Sequence, residues 1–132
     1  TVTPPEGQSL PERMVVADAA TDKMLGTVSW YWIGKETDWL ALGILIFDPD
    51  RWSRGLGAAA LRQWCAYLWS AMPRLVRLDL QTWSGNPGMM RLAEKLGFKL
   101  EARYRKARVV DGRYYDALGY GVLREEWVGT AQ

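Results

Sequence analysis

The 132-residue chain contains no histidine and one cysteine, Cys65. Without histidine there is no Ser-His-Asp or Cys-His catalysis, no imidazole metal ligand, and no side chain that ordinarily titrates near neutral pH. A single cysteine excludes an intrachain disulfide and a multi-cysteine zinc site, so no metal is expected and nothing points to an oxidising compartment. Long apolar runs are also missing. The longest, residues 39–47, has nine residues, against the roughly 20 that a membrane helix needs. The chain opens TVTPPEGQ, polar and proline-bearing, with none of the apolar character of a leader peptide. The expectation is a cytoplasmic protein with no membrane partner.

What is present suits one domain over residues 1–132, with residues 1–11 as a mobile lead-in. Hydrophobic residues make up 48% and charged residues 24%, enough of the former to build a core without staples. The net charge of +2 hides an uneven distribution. Residues 1–50 hold 3 basic and 8 acidic side chains, residues 51–110 hold 12 and 3, and residues 111–132 hold 2 and 4. A basic middle between acidic ends suits a phosphorylated cofactor. A nucleic-acid reading rests on that charge alone and finds no base-reading motif.

Pattern along the chain predicts a β-β-β-α-β-α-β-β order. Residues 13–19, 24–33 and 39–47 read as strands joined by short turns, and the last, continuously apolar, as a strand buried on both faces. A loop over residues 48–54 leads into a glycine-opened helix in which Ala58, Leu61, Cys65, Leu68 and Met72 recur at helical spacing until Pro73 stops it. Residues 75–82 alternate as a strand. Asn86-Pro87 starts a second helix as cap and first residue, Met89, Met90, Ala93 and Leu96 make its inner face, and Gly97 ends it. Two further strands meet at Asp111-Gly112, a hairpin signal. The fold class expected is mixed α/β: a mostly antiparallel sheet with helices packed on it, the strands flanking the first helix running parallel.

The segment Arg54-Gly55-Leu56-Gly57-Ala58-Ala59-Ala60 concentrates small residues where a loop tightens into a helix. The first amides of a helix have no intrahelical partner and the dipole is positive there, so such a turn can cradle a phosphate. Gly55-x-Gly57-x-x-Ala60 also fits the dinucleotide fingerprint. Against that, seven loop residues separate it from the preceding strand, and the one acidic residue of the next strand, Asp79, lies inside the strand. No Walker Gly-Lys-Ser/Thr occurs.

Two blocks together carry a resemblance. Residues 46–57, IFDPDRWSRGLG, look like the acetyl-CoA signature of the GNAT superfamily of N-acetyltransferases. Thr82-Trp83-Ser84-Gly85-Asn86-Pro87, followed by Leu92-Ala93-Glu94-Lys95-Leu96-Gly97-Phe98, is similar to that family's Asn-containing loop and its helix ending in E-K-x-G-F. The Asp111-Gly112-Arg113-Tyr114-Tyr115-Asp116 hairpin fits the ribosomal-protein alanine acetyltransferase-like branch. The resemblance implies acetyl-CoA as co-substrate and a primary amine, on a small molecule or a protein N-terminus, as acceptor. It implies that Ser53, Arg54, Gly55, Leu56, Gly57 and Ala58 bind the pyrophosphate, that Leu45, Ile46 and Phe47 hold the pantetheine arm with Asn86 reaching it from the neighbouring strand end, and that Arg91 suits the phosphates. Gly43 is read as a place for the strand to bend or bulge.

Three departures shape the catalytic expectation. Ile44 stands where several members carry a glutamate base, and Ala93 where many carry a tyrosine acid. That leaves Asp38, Glu36 and Asp116 as candidates to take the amine proton through water, and Ser84 and Tyr104 as candidate acids. Trp83 is the tryptophan placed nearest the acceptor. The third departure is at the start, where the family usually has a strand and two helices walling the acceptor site. Only about a dozen residues precede the first strand here, so the expectation is a truncated chain or an open acceptor side, where an exposed edge strand invites a second copy.

Overall fold

The computed structural model describes residues 11–46 and 55–127. Their order is β1 (Arg13–Ala17), β2 (Met24–Gly34), β3 (Trp39–Ile46), α1 (Leu56–Ala71), β4 (Arg77–Trp83), α2 (Pro87–Lys95), β5 (Lys99–Val110) and β6 (Arg113–Leu123). This is the series expected from the sequence. The strands form one six-stranded sheet ordered β1-β2-β3-β4-β6-β5. All neighbours are antiparallel except β3 and β4, as a crossover through α1 requires.

Local chemistry sets the element ends. α1 (LGAAALRQWCAYLWSA) has no β-branched residue, so no side chain loses χ1 freedom against the preceding turn. Gly55 opens it at φ +79°, a conformation cheap only for glycine. At its far end the Met72 amide bonds the Leu68 carbonyl at 2.9 Å, and Pro73 has no N–H with which to continue. α2 starts with Pro87 behind Asn86, whose Oδ1 accepts the Met89 N–H at 3.1 Å. In the β5–β6 hairpin both turn residues, Asp111 and Gly112, have positive φ (49° and 75°), the pairing that matches a turn to the twist of its strands.

Both helices pack on the same face of the sheet. Leu40 and Leu42 of β3, Leu78 and Leu80 of β4, and Leu118, Tyr120 and Val122 of β6 meet Leu61, Cys65 and Leu68 of α1 and Met89, Leu92 and Ala93 of α2. Each fully buried leucine contributes roughly 1.5–3 kcal/mol. Cys65 is sealed in this layer, and burial pushes its thiol far above the usual range. Trp30 and Trp32 share the helix-covered face as an edge-to-face pair 5.5 Å apart, and Trp30 donates its indole N–H to the Pro11 carbonyl at 2.9 Å.

Alternation sends the other half of each strand to a face that no described helix covers. The expectation that β3 is buried on both faces holds in the middle of the strand and fails toward its end. Leu40, Ala41 and Leu42 are buried, but Leu45 is 57% exposed. Nothing in the sequence distinguishes an apolar residue that meets a second layer from one at the rim of an opening.

Candidate active site

The parallel pairing of β3 and β4 runs from Trp39 opposite Arg77 to Leu42 opposite Leu80, and stops. β3 continues to Ile46 paired with β2 alone, and β4 continues to Trp83 paired with β6 alone. The two strands therefore part, and residues 43–46 and 81–83 border a wedge whose facing backbone groups have no strand partner. Such groups demand hydrogen bonds from something else. Gly43 is the first residue past the fork. It holds regular register with Ser29, so it marks the fork without a bulge.

The helices begin at the same end. β3 leads toward α1 through residues 47–54 and β4 toward α2 through residues 84–86. Each helix then runs back along the sheet with its amide-rich, dipole-positive end toward the wedge. Neither has an acidic residue in its first turn to compete with an anion. Gly57 and Ala58 are buried in the first turn of α1, leaving backbone rather than side chain at its tip.

The cofactor residues expected from sequence fall around this opening. Leu45, exposed, and Ile46, buried, belong to the β3 wall. Gly55, Leu56, Gly57 and Ala58 form the start of α1. Asn86 sits at the tip of β4's exit loop with its side-chain oxygen engaged in capping α2, and Arg91 is on the exposed side of α2. Phe47, Ser53 and Arg54 lie outside the described residues.

The proton-handling candidates fare differently. Asp38 caps the 3₁₀ turn Lys35–Thr37 just before β3 begins. It is thus at the opposite end of the strand from the wedge, five residues or about 17 Å from Gly43 at strand rise, and Glu36 lies in the same turn. Ser84 and Asp116 bracket one another: the Asp116 amide donates to Ser84 Oγ and the Ser84 amide donates to the Asp116 carbonyl, each at 2.9 Å. The Asp116 carboxylate accepts the Lys106 amide at 3.0 Å and Arg103 Nε at 2.7 Å. These bonds hold it below the usual carboxylate range, so it is poorly suited to taking a proton. It serves instead to fix the interruption in β5, where the register slips between Tyr104 and Arg108 and Lys106 takes φ +56°. Ile44 packs against the core and Ala93 is fully buried, and neither side chain carries an ionisable group.

Trp83 ends β4 on the helix-free face. It stands edge-on to Tyr115 at 4.8 Å, and the Arg108 guanidinium lies 4.9 Å over its ring. Farther along that face is a polar cluster that sequence reasoning passed over: Arg77 and Asp79 on β4 with Glu101 on β5. A lone carboxylate between Leu78 and Leu80 was its one signal, since strand alternation puts it opposite two buried leucines and a buried charge needs a partner. The residues open into a cavity of about 690 Å³ that Tyr31 and Tyr104 also line. Among the described residues no cluster of His, Cys, Asp or Glu could hold a metal ion, and no helix is long and apolar enough to cross a membrane.

Comparisons with known proteins bear on the family and the fold. The family model for the acetyltransferase (GNAT) domain matches residues 6–99. A curated relative from Bacillus subtilis (strain 168), the "SPbeta prophage-derived uncharacterized N-acetyltransferase YokL", is 39% identical over 51 residues, which is 39% of this chain and 29% of the relative. A second from the same strain, "Putative ribosomal N-acetyltransferase YdaF", is 27% identical over 99 residues, 75% of this chain and 46% of the relative. The chain thus spans less than half the length of either. Among solved structures, the spermidine/spermine N-acetyltransferase SpeG from Vibrio cholerae superposes with a TM-score of 0.76 at 22% identity, covering 91% of this chain and 69% of that one. A GNAT-family acetyltransferase from Bacillus anthracis gives 0.75 at 20% identity, covering 87% and 68%. At these identities the likeness is one of fold.

Proposed function

The chain belongs to the GNAT acetyltransferase family, and from that premise we propose that it binds acetyl-CoA at the wedge between β3 and β4 and transfers the acetyl group directly to a primary amine. The observation that carries this reading is the end of β3–β4 pairing after Leu42 and Leu80. An amide-rich arm laid in the wedge would complete the strand edges left open by residues 43–46 and 81–83. The first-turn amides of α1 would hold an anionic diphosphate, with Gly55, Gly57 and Ala58 keeping side chains out of its way. Asn86, besides capping α2, and Arg91 would flank the arm and the phosphates.

The thioester supplies an activated acyl carbon, and what the chain contributes is placement. Holding an amine against that carbon is worth several kcal/mol by itself, and an unpaired backbone N–H on the wedge side of β3 would stabilise the developing oxyanion. A thiol with pKa about 8.5 leaves without a strong acid. With Asp116 engaged and Asp38 distant, the amine proton passes to water, and the rate rises with pH toward the amine's own pKa. The two described helices pack on one face of the sheet, and the other face is where the amine would approach. The absence of a cysteine framework supports a cytoplasmic setting.

Isothermal titration with acetyl-CoA tests the reading. Binding at micromolar concentration is expected, and no heat at sub-millimolar concentration sinks it. A second reading, a catalytically silent CoA-binding module, is favoured by Ile44, partly buried, and Ala93, fully buried, which put no titratable group at those two positions. Mass spectrometry of an amine panel separates the two, because any robust acetylated product eliminates the silent module.

A further inference from the structure

The helix-free face carries chemistry that the wedge does not use. β6 presents Gly119 and Gly121 there, while the alternate residues Leu118, Tyr120 and Val122 face the core. Two missing side chains turn β6 into the floor of a trough between β4 and β5. Arg77 and Glu101 reach toward each other across that floor and pair, and a Cβ at Gly121 would collide with both. From Nε, Arg77 also donates to Asp79 Oδ1 at 2.8 Å, and its guanidinium lies 5.5 Å from the centre of the Trp39 ring.

One guanidinium therefore serves two carboxylates, and the cavity keeps a net charge of −1 between the rings of Tyr31, Trp39 and Tyr104. Asp79 is only 4% exposed. Burial raises its carboxyl, and Arg77 pulls it back. Rings bordering an uncompensated carboxylate attract an organic cation. The trough also adjoins the reacting end. Gln81, the first β4 residue past the fork, lines the same cavity, and Asp79 precedes it by two positions, about 7 Å at strand rise.

We propose, resting on the acetyltransferase reading above, that this trough is the subsite for a second positive charge on the acceptor. The substrate is then a primary amine bearing another cationic group a short chain away from the reacting nitrogen. Glu101, the more exposed of the two carboxylates, turns from Arg77 to that group. Asp79 stays fixed beneath it, and Tyr31 and Tyr104 cover the connecting chain. Acidic and zwitterionic amines are rejected by the same charges. A free linear diamine and the N-terminal segment of a basic peptide share this chemistry.

The test is kcat/KM for linear diamines of two to eight carbons against monoamines of equal length, and for peptides with lysine or norleucine behind the N-terminus. A diamine of matching length, or the lysine peptide, is expected to exceed its uncharged counterpart about tenfold, chiefly through KM. Whichever of the two is favoured identifies the source of the charge. E101Q is expected to reduce that ratio about fivefold, and E101D, which keeps the charge, to retain most of it. Equal rates for charged and uncharged acceptors, or an unchanged ratio in E101Q, overturn the subsite while acetyl-CoA binding and acetyl transfer still stand. Failure of the unaltered chain to bind acetyl-CoA overturns both readings.

Discussion

The two faces of the sheet are built on opposite rules. Under α1 and α2 the strands offer Leu40, Leu42, Leu78, Leu80, Leu118 and Val122, all buried and with no charged side chain among them. On the other side the same strands offer Arg77, Asp79 and Gln81, then the bare backbone of Gly119 and Gly121. Volume governs the first face, and charge and missing side chains govern the second. A single strand such as β4 serves both, one residue in two. Its leucines secure the sheet while its intervening residues remain available for chemistry.

Substitutions can sharpen or break that contrast. The largest effect is expected from L78A, which empties a fully buried site between sheet and helices. It should cost about 2–5 kcal/mol in urea denaturation. Next comes G121A, whose added methyl meets the Arg77–Glu101 pair. Those side-chain ends can swing aside, so the cost is that of their loosened ion pair, about 1–1.5 kcal/mol, whereas G119A, whose Cβ would sit 3.4 Å from Ala102, should cost clearly less. Equal effects at the two glycines would mean that the trough tolerates filling and would remove the contrast. The smallest effect is expected from N86A, about 1 kcal/mol for the lost cap. Aspartate at this position keeps the cap, so N86D should hold the stability. A fall in acetyl-CoA affinity in N86D by titration would show that Asn86 also serves the cofactor.

Much of the fold was legible because its signals are local. Asn86-Pro87, Gly97 and Asp111-Gly112 each act within a few residues of themselves, and all three mark element ends in the structure. The α1 face was readable from the spacing of Leu61, Cys65 and Leu68. What escaped depends on distant partners. The apolar run of β3 does not announce that β4 leaves it after Leu42. β6 slips between β4 and β5, so the strand that follows α2 ends at the sheet's edge, a choice that no turn residue encodes. The Arg77–Asp79–Glu101 cluster joins two strands across a third, and only the assembled sheet reveals it. Of the acid–base candidates, side-chain type was visible but position was not. Asp38 and Asp116 are both carboxylates, yet one caps a turn at the wrong end and the other is tied to the bulge in β5.

Cys65 has a practical consequence. It is the chain's one sulfhydryl, and it is sealed between helix and sheet with its thiolate strongly disfavoured. Since the thiolate is the reactive form, the folded protein should be silent toward a disulfide dye. Every equivalent of colour in a turnover assay can then be counted as coenzyme set free. Slow labelling of one equivalent in the absence of substrate would, by the same chemistry, time the opening of the core.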